Sequence, residues 1–393
     1  MNEFIIKDVA LVLGDGLYPD SSVYIKEGKI ERIGKGKTLR GAPAEDGGGL
    51  YLSPGFIDIH VHGGGGHDFM DATEEAVAGA CRTHMEHGTT TIVPTSLTSE
   101  DGELDAMFRS VDNVRRSDRA GSLPYIAGVH LEGPYVSAKM AGAQDPKYIK
   151  APTPDDWQRI MGMSRGLILI WTVAPELEGA VRMCRELRKT GIYFSAGHSA
   201  AKIGDVYSAI EAGYTMSTHL YSSMSTIIRE NGYRVPGLLE ASLLRDELTA
   251  EVIADGKHLP PALLQLACKT KGTDRIVLVT DAMRGAGMPD GEYLLGSLSK
   301  GQRVLVFDGI AHMPDGISFA GSVATADRLI RVMTKECGFS VPEAVKMMTA
   351  NPAREIGLDR KKGRIAEGYD ADLVLFDGDI DIKAVYVGGN RTV

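Results

Sequence analysis

Two histidines, His60 and His62, stand at the end of an apolar run and are followed by four glycines, Gly63 to Gly66. Residues two apart in a strand point to the same face, so this face can offer both imidazoles to one cation. Glycine lets the backbone turn sharply, and we expect the loop to leave an opening for a substrate above the rings. The alternative is a buried histidine pair that is bonded to carbonyl groups and precedes a flexible loop. The two histidines alone do not distinguish this structural role from a metal site.

Further polar residues come where other apolar runs end. They are Glu132 in HLEGP, His198 in SAGHSA and His219 in STHLYSS. Taken singly, each is more simply a satisfied core histidine or a carboxylate that caps a helix. Taken together, two imidazoles and a carboxylate that converge can hold a divalent cation and leave a coordination position open, as catalytic sites of the zinc type require.

Three more residues suit roles beside such a cation. Asp281 in VLVTDAM can accept a proton from a water molecule that the cation activates and return it to a leaving amine, or it can simply cap the next turn. His258 in IADGKH can bond a substrate oxygen or be a buried structural histidine. Arg234 in GYRVPG carries a guanidinium fork that suits phosphate or carboxylate, although an ordinary surface arginine is the alternative.

The elements that must position these residues alternate between strand-like and helical segments. Apolar strand-like runs occur eight times, at 54–62, 89–97, 125–134, 167–176, 193–200, 214–223, 250–259 and 275–283. Helical stretches separate most of them, such as 73–88, with a threonine N-cap, and 176–191, with acids first and bases last. The sequence therefore predicts the α/β class and a (β/α)8 TIM-type barrel, in which the carboxyl ends of the strands share one mouth. A doubly wound open sheet is the competing architecture, but the chain has no GxGxxG or GxxxxGK[ST] loop.

The two ends of the chain have a different pattern. Short strands interrupted by turns fill the first fifty residues and the last forty. We expect them to pair as a small discontinuous β-sandwich domain of residues 1–53 plus 355–393, which leaves 54–354 as the catalytic barrel.

Composition limits the class of partner. The 393 residues are 43% hydrophobic and 24% charged, with a net charge of -9, as in soluble globular proteins. Basic residues are dispersed, which argues against a nucleic-acid or membrane partner and favours a small molecule. The four cysteines form no CxxC pair, the N-terminus lacks a signal-peptide pattern, and no apolar run approaches about 18 residues. We therefore expect a cytoplasmic location.

Taken in order, the motifs resemble those of a known family. PGFIDIHVHGGGG, HLEGP, SAGHS, THLY, IADGKH, VTDAM, FAGS and NPAREIGLDRKKGRIAEGYDADLVLFD span residues 54 to 377 and are similar to motifs of the N-acetylglucosamine-6-phosphate deacetylases, within the amidohydrolase superfamily. The resemblance implies metal-dependent hydrolysis of the acetamide of N-acetylglucosamine 6-phosphate to glucosamine 6-phosphate and acetate. Many superfamily relatives bridge two ions with a modified lysine on strand four, and LILIWTVAPE has none. Glu132 would be the shared ligand instead.

The resemblance also implies a cofactor and its ligands. The principal ion would be held by Glu132, His198 and His219, and a second by His60 and His62. Asp281 would be the general base and later the acid. Whether one or two divalent ions are bound per subunit stays open, as does the choice between zinc or iron, which we favour, and cobalt or manganese, because these ligands suit them all.

The substrate-binding residues that the resemblance implies are Gln144 near the acetyl group, His258 on the sugar, Arg234 on the 6-phosphate, and Ser222, Ser223 and Phe319. The enzyme would be a homodimer in which the phosphate-binding arginine can come from the neighbouring subunit.

The chain departs from the family pattern at THLYSSM, where members have THL[FY]NAM. Ser222 and Ser223 replace an Asn-Ala pair that helps to hold the phosphate, although a serine hydroxyl can still donate to phosphate. An epimer such as N-acetylgalactosamine 6-phosphate is therefore an alternative substrate, and another amidohydrolase activity on a different amide is a second alternative. A non-catalytic barrel is a third, but such relatives lose ligands, and every proposed ligand is present here.

Overall fold

The computed structural model describes residues 3–36, 38–117, 121–316 and 318–393. Its strands are β1 (Glu3–Leu13), β2 (Gly16–Lys26), β3 (Lys29–Lys35), β4 (Ala44–Asp46), β5 (Tyr51–Pro54), β6 (Phe56–Val61), β7 (Gly63–Gly64), β8 (His67–Asp68), β9 (Thr89–Pro94), β10 (Tyr125–Ile126), β11 (Val129–Glu132), β12 (Ile168–Thr172), β13 (Tyr193–Ala196), β14 (Tyr214–Ser217), β15 (Ile228–Glu230), β16 (Tyr233–Val235), β17 (Thr249–Val252), β18 (Ile276–Leu278), β19 (Gly291–Leu295), β20 (Gln302–Phe307), β21 (Ile310–His312), β22 (Leu373–Phe376), β23 (Ile382–Val387) and β24 (Asn390–Arg391).

The α-helices are α1 (Glu74–Glu86), α2 (Asp101–Arg116), α3 (Pro154–Met163), α4 (Ala180–Leu187), α5 (Ile203–Ala212), α6 (Leu238–Leu244), α7 (Pro261–Lys271), α8 (Ala326–Arg331), α9 (Val341–Met347) and α10 (Ala350–Glu355). The predicted α/β class is confirmed. Within the described ranges, no helix is long and apolar enough to cross a membrane.

Eight parallel strands form the centre of the molecule: β6, β9, β11, β12, β13, β14, β17 and β18. The two parallel sheets that contain them are joined by backbone hydrogen bonds on both sides. Ser96 N donates to His130 O at 3.0 Å between β9 and β11, and Asp281 N donates to His60 O at 2.8 Å where the chain leaves β18. The strands therefore close into a ring, and a helix follows each in turn, from α1 to α8.

All eight predicted strands are present, but most end earlier than predicted. β13, β14 and β18 stop at Ala196, Ser217 and Leu278, several residues before the predicted limits. The polar residues beyond them, His198, His219 and Asp281, have φ angles of 46°, 29° and 47°. Because these left-handed values are incompatible with a strand, the polar side chains lie on short turns at the carboxyl edge of the ring.

Of the two helices predicted by residue range, one begins where predicted and the other begins later. α1 begins as predicted, with the Thr73 side chain accepting from Ala76 N. The helix predicted over 176–191 begins only at Ala180. Its first acid, Glu176, instead accepts from Ser199 Oγ at 2.7 Å and Ala200 N at 2.6 Å, which ties it to the turn after β13.

Both ends of the chain contribute to one eight-stranded sheet, in the order β24-β23-β22-β5-β1-β2-β3, with β4 paired to β1. β1 and β23 are three strands apart, which is about 14 Å in a flat sheet. The rings of Phe4 and Tyr386 on these strands nevertheless stack with centroids 5.7 Å apart, so the sheet curls around a core of its own. Its last three strands begin at Leu373, whereas Ile356 still packs with Ile57 and Ile59 inside the ring.

Candidate metal centre

His60 and His62 lie at the carboxyl end of β6, with ring centroids 5.3 Å apart. The glycines after them do not form the expected opening. Gly63 pairs with Asp68, and a Cβ atom at Gly63 would lie 2.2 Å from the carbonyl oxygen of His67. These glycines therefore permit close packing of the backbone, and the pocket beside the two rings is lined by other residues.

Glu132 meets two histidines at the end of β11. Its Oε1 atom lies 3.0 Å from Nε2 of both His198 and His219, and the two Nε2 atoms are 3.1 Å apart. The Nδ1 atom of His198 is 3.0 Å from Met140 O, so Nδ1 carries the proton and Nε2 presents its lone pair to the centre. This group, Glu132–His198–His219, has the ligand types and spacing to hold a cation.

A second group adjoins the first and contains His60, His62 and Asp281. Asp281 Oδ1 lies 3.1 Å from His62 Nε2 and 3.5 Å from His60 Nε2. Glu132 faces this group too, with Oε1 at 3.5 Å from His60 Nε2 and Oε2 at 3.4 Å from His62 Nε2. The Glu132 carboxylate thus lies between two candidate cation positions.

The donor atoms of these groups fit a divalent cation. His60 Nε2 is fully buried and has no hydrogen-bond partner among the described residues, which costs about 1–3 kcal/mol unless a ligand uses it. His60 Nε2 points toward the carboxylates of both groups. Four imidazoles and two carboxylates are ligands that zinc and other first-row metals accept.

The charges around the centre favour a positive ion. Burial lowers the pKa values of His60 and His62, but the nearby Glu132 and Asp281 carboxylates outweigh burial and raise the pKa of His62 to about 9 and that of His60 well above its usual value. Burial raises the pKa of Asp281, yet His60 and His62 more than offset it, so this carboxyl is ionised at neutral pH. The carboxylates therefore favour positive charge beside them, either as protons on the imidazoles or as a bound cation that displaces those protons.

A pocket of about 230 Å³ opens beside the two groups. Besides candidate ligands, it is lined by Gln144, Ser222, Ser223, His258 and Phe319 from the predicted substrate set.

Gln144 and His258 are held firmly at the pocket wall. Gln144 accepts from Thr98 N at 2.7 Å and donates through Nε2 to Glu132 Oε2 at 2.7 Å, so only its second N–H is free for a ligand. His258 Nδ1 lies 2.8 Å from Asp255 Oδ2. The ring of Phe319 meets that of His258 edge-on, with centroids 5.1 Å apart.

Arg234 is the one predicted substrate-binding residue that does not line this pocket. It is exposed on β16, in the hairpin that β16 forms with β15, opposite Arg229. Arg234 follows β14, the sixth strand of the ring, but it lies on strand β16 and, within a single subunit, does not line the pocket.

Two carboxylates of the site were not predicted from the sequence. Glu251 on β17 accepts from His60 Nδ1 at 3.0 Å, and Asp255 orients His258. Glu251 could have been noticed as a lone acid within the apolar run TAEVIA, and Asp255 as an acid three residues before His258.

A sequence profile described as the amidohydrolase family matches residues 51–393. The chain belongs to the amidohydrolase family. Members of this family are metal-dependent hydrolases, and the donor groups of this chain suit a divalent metal.

Within the amidohydrolase family, the resemblance inferred from the motifs is confirmed. The chain is 36% identical over 378 residues to the N-acetylglucosamine-6-phosphate deacetylase of Lysinibacillus sphaericus, covering 95% of this chain and 93% of that one. It is 31% identical over 338 residues to the N-acetylgalactosamine-6-phosphate deacetylase of Escherichia coli O157:H7, covering 86% of each. A solved N-acetylglucosamine-6-phosphate deacetylase variant from Mycobacterium smegmatis, in complex with N-acetyl-D-glucosamine 6-phosphate, superimposes with a TM-score of 0.90 at 32% identity and covers all of both chains.

Proposed function

We propose that this amidohydrolase is a deacetylase that hydrolyses the acetamide of N-acetylglucosamine 6-phosphate to glucosamine 6-phosphate and acetate. The observation that carries the proposal is the convergence of Glu132, His198 and His219 with a second group of ligands beside a pocket. The similarity to deacetylases along almost the whole chain supports it.

The ligands proposed for the principal ion are Glu132, His198 and His219, and those for a second ion are His60, His62 and Asp281, with Glu132 shared. A divalent cation bound there supplies a Lewis acid that polarises the amide carbonyl and makes water more acidic. Zinc or iron fits these ligands best, with cobalt or manganese as alternatives.

Asp281 is proposed to move the proton. Its carboxylate is ionised beside the imidazoles and can take a proton from water as the oxygen adds to the acetamide carbon. It then delivers that proton to the amide nitrogen as the carbon–nitrogen bond breaks, which yields acetate and the free amine. The remaining N–H of Gln144 is placed to donate to the developing oxyanion, while His258, whose Nδ1 faces Asp255, is proposed to contact the sugar.

Ser222 and Ser223 are proposed to bind the sugar phosphate, with Phe319 as an apolar wall of the same pocket. N-Acetylgalactosamine 6-phosphate is the second candidate substrate, because THLYSSM departs from the usual pattern and a relative with that activity is 31% identical.

A homodimer is part of the proposal. Arg234 is exposed on a hairpin that also exposes Tyr233 (78%), Ile227 (52%) and Ile228 (44%), a set that a second copy would cover. In the dimer, Arg234 of the partner subunit would bind the 6-phosphate.

Mixing two inactive variants, Arg234→Met and Asp281→Asn, tests the shared site. Heterodimers would contain one intact site, so random mixing should restore roughly a quarter of wild-type activity. No recovery after subunit exchange would contradict the shared arginine.

The fold proposal is a (β/α)8 TIM-type barrel of residues 54–354 with a small β-sandwich domain of residues 1–53 plus 355–393. The closed ring of parallel strands and the sheet shared by both chain ends support it. A cytoplasmic location is also proposed, supported by four cysteines that are buried and unpaired.

Acetate release tests the substrate. The purified enzyme, with metal supplied, is assayed on N-acetylglucosamine 6-phosphate, its galacto epimer and both unphosphorylated sugars. We expect the gluco phosphate to react fastest and the unphosphorylated sugars slowly. If the galacto epimer reacts faster, it replaces N-acetylglucosamine 6-phosphate as the proposed substrate. If none of the four sugars releases acetate, the deacetylase proposal is rejected.

A further inference from the structure

Glu251 is a fully buried carboxylate that belongs to no ligand group assigned above. It lies on β17, and its Oε2 atom is 3.0 Å from His60 Nδ1 and 3.4 Å from His219 N. Among the described residues, no lysine or arginine forms an ion pair with it. A buried carboxylate is costly without a charged partner, so His60 and the centre behind it are the source of its stabilisation.

The contact fixes which nitrogen of His60 can bind an ion. Because Nδ1–H donates to Glu251, the lone pair of His60 is on Nε2. That atom lies 3.5 Å from both Glu132 Oε1 and Asp281 Oδ1, at the edge of the second candidate cation position. Pairing with a carboxylate also makes an imidazole more basic and hence a stronger ligand.

The first candidate position is supported differently. Its histidine His198 is oriented by the neutral carbonyl of Met140, and no second carboxylate stands behind that ring among its described contacts. The two positions therefore differ in the charge behind their histidine rings, because Glu251 contacts the ring of His60 but only the backbone N–H of His219.

We propose that Glu251 is a positioning residue that orients His60 and strengthens binding of the ion held by His60, His62 and Asp281. This inference rests on the proposed metal-dependent function and deepens it. Glu251 thus strengthens the binding of one ion although it touches neither that ion nor the substrate.

The experiment compares Glu251→Gln and Glu251→Leu with the wild type. Metal-free protein is titrated with zinc against a chromophoric chelator, and bound zinc is counted per subunit. We expect two ions in the wild type, with the weaker one bound about tenfold less tightly in Glu251→Gln and about 100-fold less tightly in Glu251→Leu. Glutamine retains an oxygen that accepts from His60 Nδ1, so partial rescue is expected from the conservative variant.

The control is Thr249→Val on the same strand. Thr249 Oγ1 donates to Glu355 at 2.8 Å, at the opposite end of β17, so its loss disturbs the strand without touching the ligands. Thr249→Val should bind both zinc ions like the wild type.

Three results would overturn the inference: unchanged affinities in Glu251→Leu, equal weakening of both ions, or equal weakening in Thr249→Val. If the wild type binds two ions and Glu251→Leu binds both with unchanged affinity, only the role of Glu251 is rejected. A wild type that binds no zinc or other divalent metal rejects the proposed function as well.

Discussion

Replacement of Arg284 by methionine tests how the segment beside the pocket is held. The Arg284 guanidinium is buried and donates to Asp71 Oδ1 at 2.8 Å. It also donates to the carbonyl oxygens of Gly66 at 3.2 Å, Leu294 at 2.6 Å and Gly296 at 2.5 Å. One side chain thus ties the glycine loop after β6 to β19, whose last residue lines the pocket.

The expected loss of stability follows from these contacts. Removing one member of a buried ion pair costs about 3–5 kcal/mol, because the partner charge stays buried. Asp71 keeps two other donors, Leu298 N at 3.1 Å and Asp68 N at 3.0 Å, which reduces the loss, while three carbonyl oxygens lose theirs. We therefore expect Arg284→Met to lower the free energy of unfolding by about 4 kcal/mol. Adding Asp71→Asn should recover part of it, because the unpaired charge is removed.

Urea unfolding followed by the fluorescence of the buried Trp157 and Trp171 measures this change. The matched control is Arg303→Met, because Arg303 is largely exposed and its ion pair with Glu292 is on the surface. That control should change the free energy of unfolding by less than about 1 kcal/mol. If Arg284→Met behaves like the control, or if Asp71→Asn adds to its loss, the buried ion pair does not hold this segment.

Three further predictions concern proton binding, catalysis and the pocket wall. Burial lowers the pKa of His84 to about 4. Between pH 6.5 and 4 the unfolded chain therefore binds a proton at this residue that the folded chain excludes. As the pH is lowered through this range, the free energy of unfolding should fall by up to about 3 kcal/mol. His84→Gln can still donate to Gly63 O and should remove that slope in urea unfolding at several pH values; an unchanged slope would assign it to other groups. Asp281→Asn should lower kcat by about 10²–10⁴-fold while zinc bound at Glu132–His198–His219 stays; near-normal kcat would reject Asp281 as the proton carrier. Gly142 has φ +57°, and a Cβ atom there would lie 2.4 Å from Ser223 Oγ. Because Gly142→Ala would displace this serine from the substrate pocket, it should raise KM more than it lowers kcat. An unchanged KM would place Ser223 outside the substrate site.

The order of the parallel strands could be predicted because the chain alternates apolar runs with capped helices. Polar residues at the ends of those runs then had to share one edge, and the structure brings His60, Glu132, His198, His219 and Asp281 together there. The ends of the strands could be predicted less accurately, because three of these residues adopt left-handed backbone angles, which end a strand and which their residue types alone do not specify.

Other features depend on contacts between distant segments. Glu251 can be noticed as a lone acid in an apolar strand, but its role depends on His60, which is far away in the chain and lies beside it only in the fold. Arg234 is recognisable as a candidate anion ligand, but its distance from the pocket depends on how the hairpin is oriented and on whether a second subunit is present. The sequence pattern of the hairpin predicts neither its orientation nor the presence of a second subunit.

The hydrogen bond from Asp281 N to His60 O is part of the junction that completes the ring of strands. His60 is on the first strand of that ring and Asp281 follows the last one, so the two residues are synthesised at very different times. A nascent chain therefore has histidines and a carboxylate long before it has an assembled centre. It can acquire a complete set of ligands only after the last strand has left the ribosome and docked, which separates the onset of metal loading from the early steps of folding.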